Sequence, residues 1–195
     1  MKKFLLIAFL LPMVFSTGCI THYVMDEYPQ YLQKNEGKLD LPKINTKLSY
    51  AMDEPSDKHI KKIQAVSTGW AHKWMIEFGK TLRATMNSTD VNKAFKKITY
   101  DKNKSGPLHI DFAVKEFDFR EAKAHINVDA TVSKKGKQIL SKNYTEVGIG
   151  QGGKMFWAGA FGMKNAIHQS TKAAMDTLMK RLVEDIKVAA NKPST

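Results

Sequence analysis

Residues 108–134 read LHIDFAVKEFDFREAKAHINVDATVSK, and two alternations within this stretch decide the fold. Leu108, Ile110, Phe112 and Val114 recur at every second position; the phase then slips, and Phe117 and Phe119 carry the pattern on. A period of two marks a half-buried strand, and a bulge near Lys115 and Glu116 accounts for the slip, because one extra residue re-aims the chain without ending the strand. Arg120 to Lys123 turns the chain back, and Ala124, Ile126, Val128, Ala130 and Val132 then alternate without interruption. Lys134 to Lys137, containing Gly136, makes a second turn, and Gln138–Val147 continues as a third strand with a weaker pattern. Strands joined so briefly form an antiparallel meander, whose single apolar face needs a cover.

The cover comes from the C-terminal region. Ile167, Thr171, Ala174, Met175, Leu178, Leu182 and Ile186 form a stripe over more than five helical turns, and no proline interrupts it before Pro193. Upstream, Lys47–Met52 reads as a short strand followed by a polar turn, Asp53–Asp57. Trp70, Trp74, Phe78 and Leu82 recur at steps of four, which predicts an amphipathic helix capped by Ser67 or Thr68. Ser88, Thr89 and Asp90 end that helix or cap a shorter one with Val91, Ala94 and Phe95 turned inward. The expected fold is therefore α+β, a two-layer sandwich of an antiparallel meander with two main helices on one face.

The chain has 195 residues, 43% of them apolar and 26% charged, enough for one globular domain with a core of its own. Thirty-one basic residues against 19 acidic ones give a formal charge of +12. Only Arg83, Arg120 and Arg181 are arginine, and readers of base edges favour the planar guanidinium fork, so specific nucleic-acid recognition is not expected. The single cysteine, Cys19, leaves no partner for a disulfide within the chain or for a CxxC metal site.

That cysteine closes a distinctive leader. Lys2 and Lys3 precede the apolar run Phe4–Phe15, and Ser16, Thr17, Gly18 and Cys19 follow. Twelve residues of helix cover roughly 18 Å, short of the ~30 Å hydrocarbon core, so the layout is that of a signal peptide and not of a permanent span. Ser16-Thr17-Gly18-Cys19 resembles the lipobox of bacterial lipoproteins, with Ser16 where that family usually has Leu. The resemblance implies removal of residues 1–18, acylation of Cys19, and, since Ile20 and not Asp follows, sorting to the outer membrane with the body facing the periplasm. Residues 19–46 carry Pro29, Pro42 and Gly37 and no sustained period, so they are expected to be a tether reaching roughly 25–30 Å, with Tyr23, Tyr28 and Tyr31 docking on the domain or at the lipid interface. The domain is expected over 47–190 and a disordered tail over 191–195.

Four groups of residues carry candidate chemistry. Gly148, Gly150 and Gly153 satisfy GxGxxG, and Lys154 completes GxxxxGK. A phosphate loop needs Ser or Thr after the lysine, where Met155 stands, and a dinucleotide site needs a complete βαβ unit with an acid on its second strand, whereas only one helix is expected downstream, so no nucleotide cofactor is expected. Met155–Met163 is an apolar run expected as a loop, either plugging the end of the sandwich or presenting Phe156, Trp157 and Phe161 to a partner or a membrane, with Gly159 and Gly162 allowing close approach. Lys93, Lys96, Lys97, Lys102 and Lys104 crowd around Asp101 alone, either as a solvated face or as a site for anionic headgroups, lipid phosphates or an acidic partner. His125, Asn127 and Asp129 share a strand face that a hairpin could set against His109 and Asp111; two histidines with two carboxylates suit zinc, yet any water-facing strand alternates in this way, and no metal is expected.

The order of elements resembles the ABC-type transport auxiliary lipoprotein family over about Lys47 to Lys187. The resemblance implies a non-enzymatic, lipid-anchored module of a cell-envelope complex or, alternatively, an accessory lipoprotein for lipid or lipopolysaccharide transport. A hydrolase would instead need His125, Asp129 and Asp111 gathered in a concave site.

Overall fold

A computed structural model describes residues 20–64 and 72–191, with the side chains of all of these except 154–161. The strands are β1 (Ile20–Tyr23), β2 (Ile44–Met52), β3 (Ile60–Ile63), β4 (His72–Glu77), β5 (Phe95–Tyr100), β6 (Leu108–Arg120), β7 (Lys123–Lys134) and β8 (Lys137–Val147). The α-helices are α1 (Tyr28–Lys34), α2 (Glu54–Asp57), α3 (Phe78–Met86), α4 (Thr89–Asn92) and α5 (Gly152–Asn191), and a 3₁₀ turn spans Val24–Glu27. The fold is α+β, with strands in two sheets ordered β5-β2-β6-β7-β8 and β1-β4-β3.

The meander β6-β7-β8 is antiparallel, and its turns are the two-residue pairs Glu121–Ala122 and Lys135–Gly136, all four residues at positive φ. Such turns match the twist of the strands they join. The register slips between Val114 and Glu116, as expected, so that Ile110, Phe112, Phe117 and Phe119 face the same side as Val132, Ala130, Ile126 and Ala124, their partners on β7. Helix α5 covers that side. Ser170 Oγ accepts from the Ala124 amide at 2.8 Å, and Lys134 Nζ donates to the Ala190 carbonyl at 2.8 Å. Twenty helical residues and ten strand residues both span roughly 30 Å, so α5 matches β7 along its whole length.

The sheet continues beyond the meander with a different polarity. Strand β2 pairs in parallel with both β6 and β5, and Leu48–Met52 are buried at every position because that strand is covered on both faces. Parallel neighbours need long crossovers, which leave no local sequence mark.

Three expectations are corrected. The tether over 19–46 is instead folded from Ile20 onward: Val24, Met25, Tyr28 and Leu32 belong to the core, and Pro29 opens α1, where its missing amide donor is no loss. The helix expected from Trp70 is strand β4 followed by α3; a step of four is also twice a step of two, so Trp74, Ile76 and Phe78 satisfy strand alternation before Leu82 and Met86 take up the helical period. The loop expected over Met155–Met163 has a helical backbone within α5. Cys19, Trp70, Ser67 and Thr68 lie outside the described residues, as do residues 192–195.

The N-terminal segment is clasped by imidazoles. His22 Nε2 and His72 Nδ1 are 2.8 Å apart, both rings stack with Trp74, and buried His168 donates from Nε2 to the Val24 carbonyl at 2.7 Å. Burial holds His22 and His168 below the ordinary value of 6.5, with neighbouring His72 and Lys164 adding to the effect on His22. The unfolded chain therefore binds protons at these sites first, and folding stability should fall as pH drops through 6.5 toward the lower folded values. Thermal midpoints at pH 7.5 and 5.5 should show this loss, and a His22→Asn, His168→Asn double variant should show a shallower dependence.

Candidate functional site

Strand β5 is one edge of the larger sheet, β8 being the other, and the short helix α4 sets its start: Ser88 caps α4 by accepting from the Val91 amide, and Val91, Ala94 and Phe95 are buried as expected. This anchoring leaves Lys93, Lys96 and Lys97 exposed. The parallel pairing with β2 then sets Lys97 directly beside Lys47, which is also exposed. Neither lysine has an acidic partner among the described residues. Like charges in register destabilise a sheet by about 0.2–1 kcal/mol, so this edge favours an anion that would neutralise both.

The remaining expected lysines lie in the crossover to β6. Lys102 and Lys104 are exposed, but Lys104 pairs with Asp111 at 2.8 Å, so its charge is already met. Both line a groove of about 470 Å³ on the outer sheet face, together with Asp111, Asp129 and Thr131. Asp101 caps this loop by accepting from the Ser105 hydroxyl and from the Asn103 and Ser105 amides, which together hold its carboxyl below the usual range. Of the five expected lysines, Lys93, Lys96 and Lys97 thus share the edge with Lys47, while Lys102 and Lys104 turn to the groove. Lys47 was missed because fifty residues separate it from Lys97.

Beneath the same loop, Ser49 Oγ lies 2.7 Å from His109 Nδ1, and His109 Nε2 lies 3.2 Å from Asp111 Oδ1. These are the residue types of a nucleophilic triad, and local spacing did not announce them. Ser49 and His109 are 4% and 2% exposed, Gly106 packs directly on the Ser49 hydroxyl, and that hydroxyl also lies 3.3 Å from the Leu108 carbonyl. Ser49 and His109 are almost fully buried, and the trio fastens β2, β6 and the loop.

The histidines considered for zinc are separated by the hairpin register. His125 stands opposite Asp118 and Asp129 opposite Ala113, whereas His109 and Asp111 face Ser133 and Thr131. Eight strand positions, roughly 26 Å, divide His125 from Ser133. No group of three metal-ligating side chains occurs among the described residues.

The glycine-rich stretch has a packing role. Gly148 donates to the Ala124 carbonyl at 2.8 Å and lies against the Ser170 carbonyl, with no room for a Cβ. Gly162 is buried; the side chains of Phe156, Trp157 and Phe161 lie outside the described residues, as does any contact at Gly159. Their helical backbone belongs to the turns of α5 that precede Ser170, and in the same part of the helix Lys164 pairs with Glu27 and His168 holds Val24.

One groove and one packed layer bear on ligand class. One of about 660 Å³ between α1 and α3 is lined by Asp26, Gln33, Lys80, Arg83 and Asn87, among others; Lys80 pairs with Asp26 and Glu77, and Arg83 with Asp57. Met25, Pro29, Leu32 and Ala84 also line it, so its walls are mixed and do not by themselves select a ligand class. Between the larger sheet and α5 the space is filled by Val128, Ala130, Val132, Tyr144, Leu178 and Leu182, all within one buried cluster.

No family model matches the chain, and no curated protein matches it. Among solved structures, the hypothetical protein CT253 from Chlamydia trachomatis is 12% identical, with a TM-score of 0.39 over 76% of this chain and 100% of that one. Protein XCC0632 from Xanthomonas campestris, described under the family model DUF330, is 11% identical, with a TM-score of 0.50 over 78% of this chain and 91% of that one. The similarity to XCC0632 is one of fold.

Proposed function

We propose that this chain is an outer-membrane lipoprotein, acylated at Cys19, whose periplasmic domain is a non-enzymatic binding module of a cell-envelope complex. The observation that carries the binding role is the Lys47–Lys97 pair, two like charges in register on a free sheet edge without a counter-ion among the described residues. A pairing that weakens the isolated fold is accounted for by an anionic partner that relieves it. Lys93 and Lys96 add positive charge along the same edge, Lys96 on the opposite face of β5 from Lys97, and Phe156, Trp157 and Phe161, with Gly159 and Gly162, are read as an apolar contact at the other end of α5. The filled space beneath α5 supports a binding module over a lipid carrier.

Lys97→Glu tests this reading because it separates stability from function. The carboxylate it sets beside Lys47 replaces a repulsion with an attraction and should stabilise the fold by roughly 0.5–1 kcal/mol, read as a higher denaturant midpoint, while capture of the envelope partner by crosslinking in intact cells should fall at least several-fold. Replacing Phe156, Trp157 and Phe161 with Ser should abolish copurification without unfolding the domain. Unchanged capture in both variants would reject these surfaces. Intact-mass analysis should find a chain that begins at Cys19 and carries fatty adducts.

A further inference from the structure

Strand β1 begins at Ile20, the residue after Cys19, and it is fastened along its length. Ile20 pairs with His72, Thr21 with Lys73, His22 with Trp74 and Tyr23 with Met75, all in parallel register. The His22–His72 contact from β4, and the His168 bond to Val24 and the Lys164–Glu27 pair at 2.7 Å from α5, close the clasp from two elements. Consecutive Cα atoms are about 3.8 Å apart, so no slack separates the anchor residue from the folded body. Ile20 and Tyr23 are nevertheless 51% and 53% exposed, and Lys80 stands 5.7 Å from the centre of the Tyr23 ring. An exposed aliphatic residue, a tyrosine and a lysine with a long apolar stem form an interfacial set, each able to bury carbon among lipid headgroups while keeping its polar end wet.

We infer that this end of the domain, Ile20 and Tyr23 with Lys80, is a docking surface for the bilayer, so that the body rests on the headgroups instead of swinging on a leash. The inference rests on the acylation of Cys19 proposed above. The occupant is the lipid surface because the chain leads directly into it. The Lys47–Lys97 edge, level with the far end of α5, is then held roughly 30 Å along the helix from the membrane end.

The test uses the full acylated protein in vesicles of phosphatidylethanolamine and phosphatidylglycerol. Acylation blocks the Cys19 thiol, so Lys73→Cys and Lys96→Cys each offer one site for a nitroxide label. Lys73 is in register with Thr21, two residues from Cys19, so the short connection alone holds it near the interface, and a variant with that connection lengthened is what separates docking from tethering. The label at 73 should collide with a water-soluble nickel chelate several-fold less often than the label at 96, and Ile20→Ser with Tyr23→Ser should reduce that difference. A second protein, with twenty Gly and Ser residues inserted between Cys19 and Ile20, should keep the label at 73 protected, because the surface holds the body without the short connection. Equal nickel access at 73 and 96 in protein that floats with vesicles overturns docking and leaves the anchor intact. Failure to float, with no fatty adduct by mass, overturns both.

Discussion

A chain that begins at Glu36 should not fold, whereas one that begins at Ile20 should unfold cooperatively. The segment between them inserts Val24, Met25, Tyr28 and Leu32 into the core, each no more than 6% exposed. Burial of side chains of this size contributes about 1.5–3 kcal/mol apiece, so the shorter chain forfeits roughly 6–12 kcal/mol. Whole domains are stable by about 5–15 kcal/mol, and the loss is of the same size as the total. The deletion also leaves Trp74, Ile76 and Phe78 without part of their packing and His168 without the carbonyl it holds. Circular dichroism through a thermal ramp separates the outcomes: a sigmoidal transition in the longer chain, and a featureless slope in the shorter one. A cooperative transition in both would restore the segment to the status of a linker.

Gly148→Ala should be the most damaging single methyl group in the described fold. A Cβ at this position would overlap the Ser170 carbonyl and hydroxyl, and both are fixed: Ser170 is fully buried, and its hydroxyl accepts from the Ala124 amide. The end of β8, the start of β7 and α5 meet here, so relief at one contact breaks another. Overpacking costs about 1–3 kcal/mol, and loss of a buried hydrogen bond adds about 1 kcal/mol, giving a destabilisation near 3 kcal/mol. For a chain of this length that corresponds to a fall in Tm of roughly 6–12 °C. Gly153→Ala is the control. Nothing lies within 4 Å of a Cβ there, and a helical Gly→Ala change is neutral or stabilising by up to about 1 kcal/mol. The contrast shows why this glycine-rich stretch resembles a phosphate loop: close approach of backbone to backbone requires the same residue.

Legibility in the sequence followed the range of the signal. The meander, its bulge at Lys115 and the stripe of α5 were readable because each is a local period with one solution. Trp74 to Leu82 carried a period with two solutions, and the choice between strand and helix depended on pairing with β1 and β3. Met25, Tyr28 and Leu32 do have helical spacing, and Pro29 suits a first turn, so α1 was detectable beneath the charges around it. Strand β5 was hidden by its lysines. The Lys47–Lys97 pair and the Ser49–His109 contact had no local signature, since both arise from parallel strands joined by long crossovers.

The clasp on β1 has a consequence for the order of events during biogenesis. Val24 is secured by His168, 144 residues later, and Glu27 by Lys164, 137 residues later. If the chain is exported as proposed, the first part to emerge cannot complete its structure until nearly the last part has followed. Contacts this distant slow folding, because a long loop must close before they are rewarded. Lipid attachment at Cys19 would thus act on a nascent, still unstructured polypeptide, and the mature protein would finish assembling with its head already immobilised and its seat arriving last.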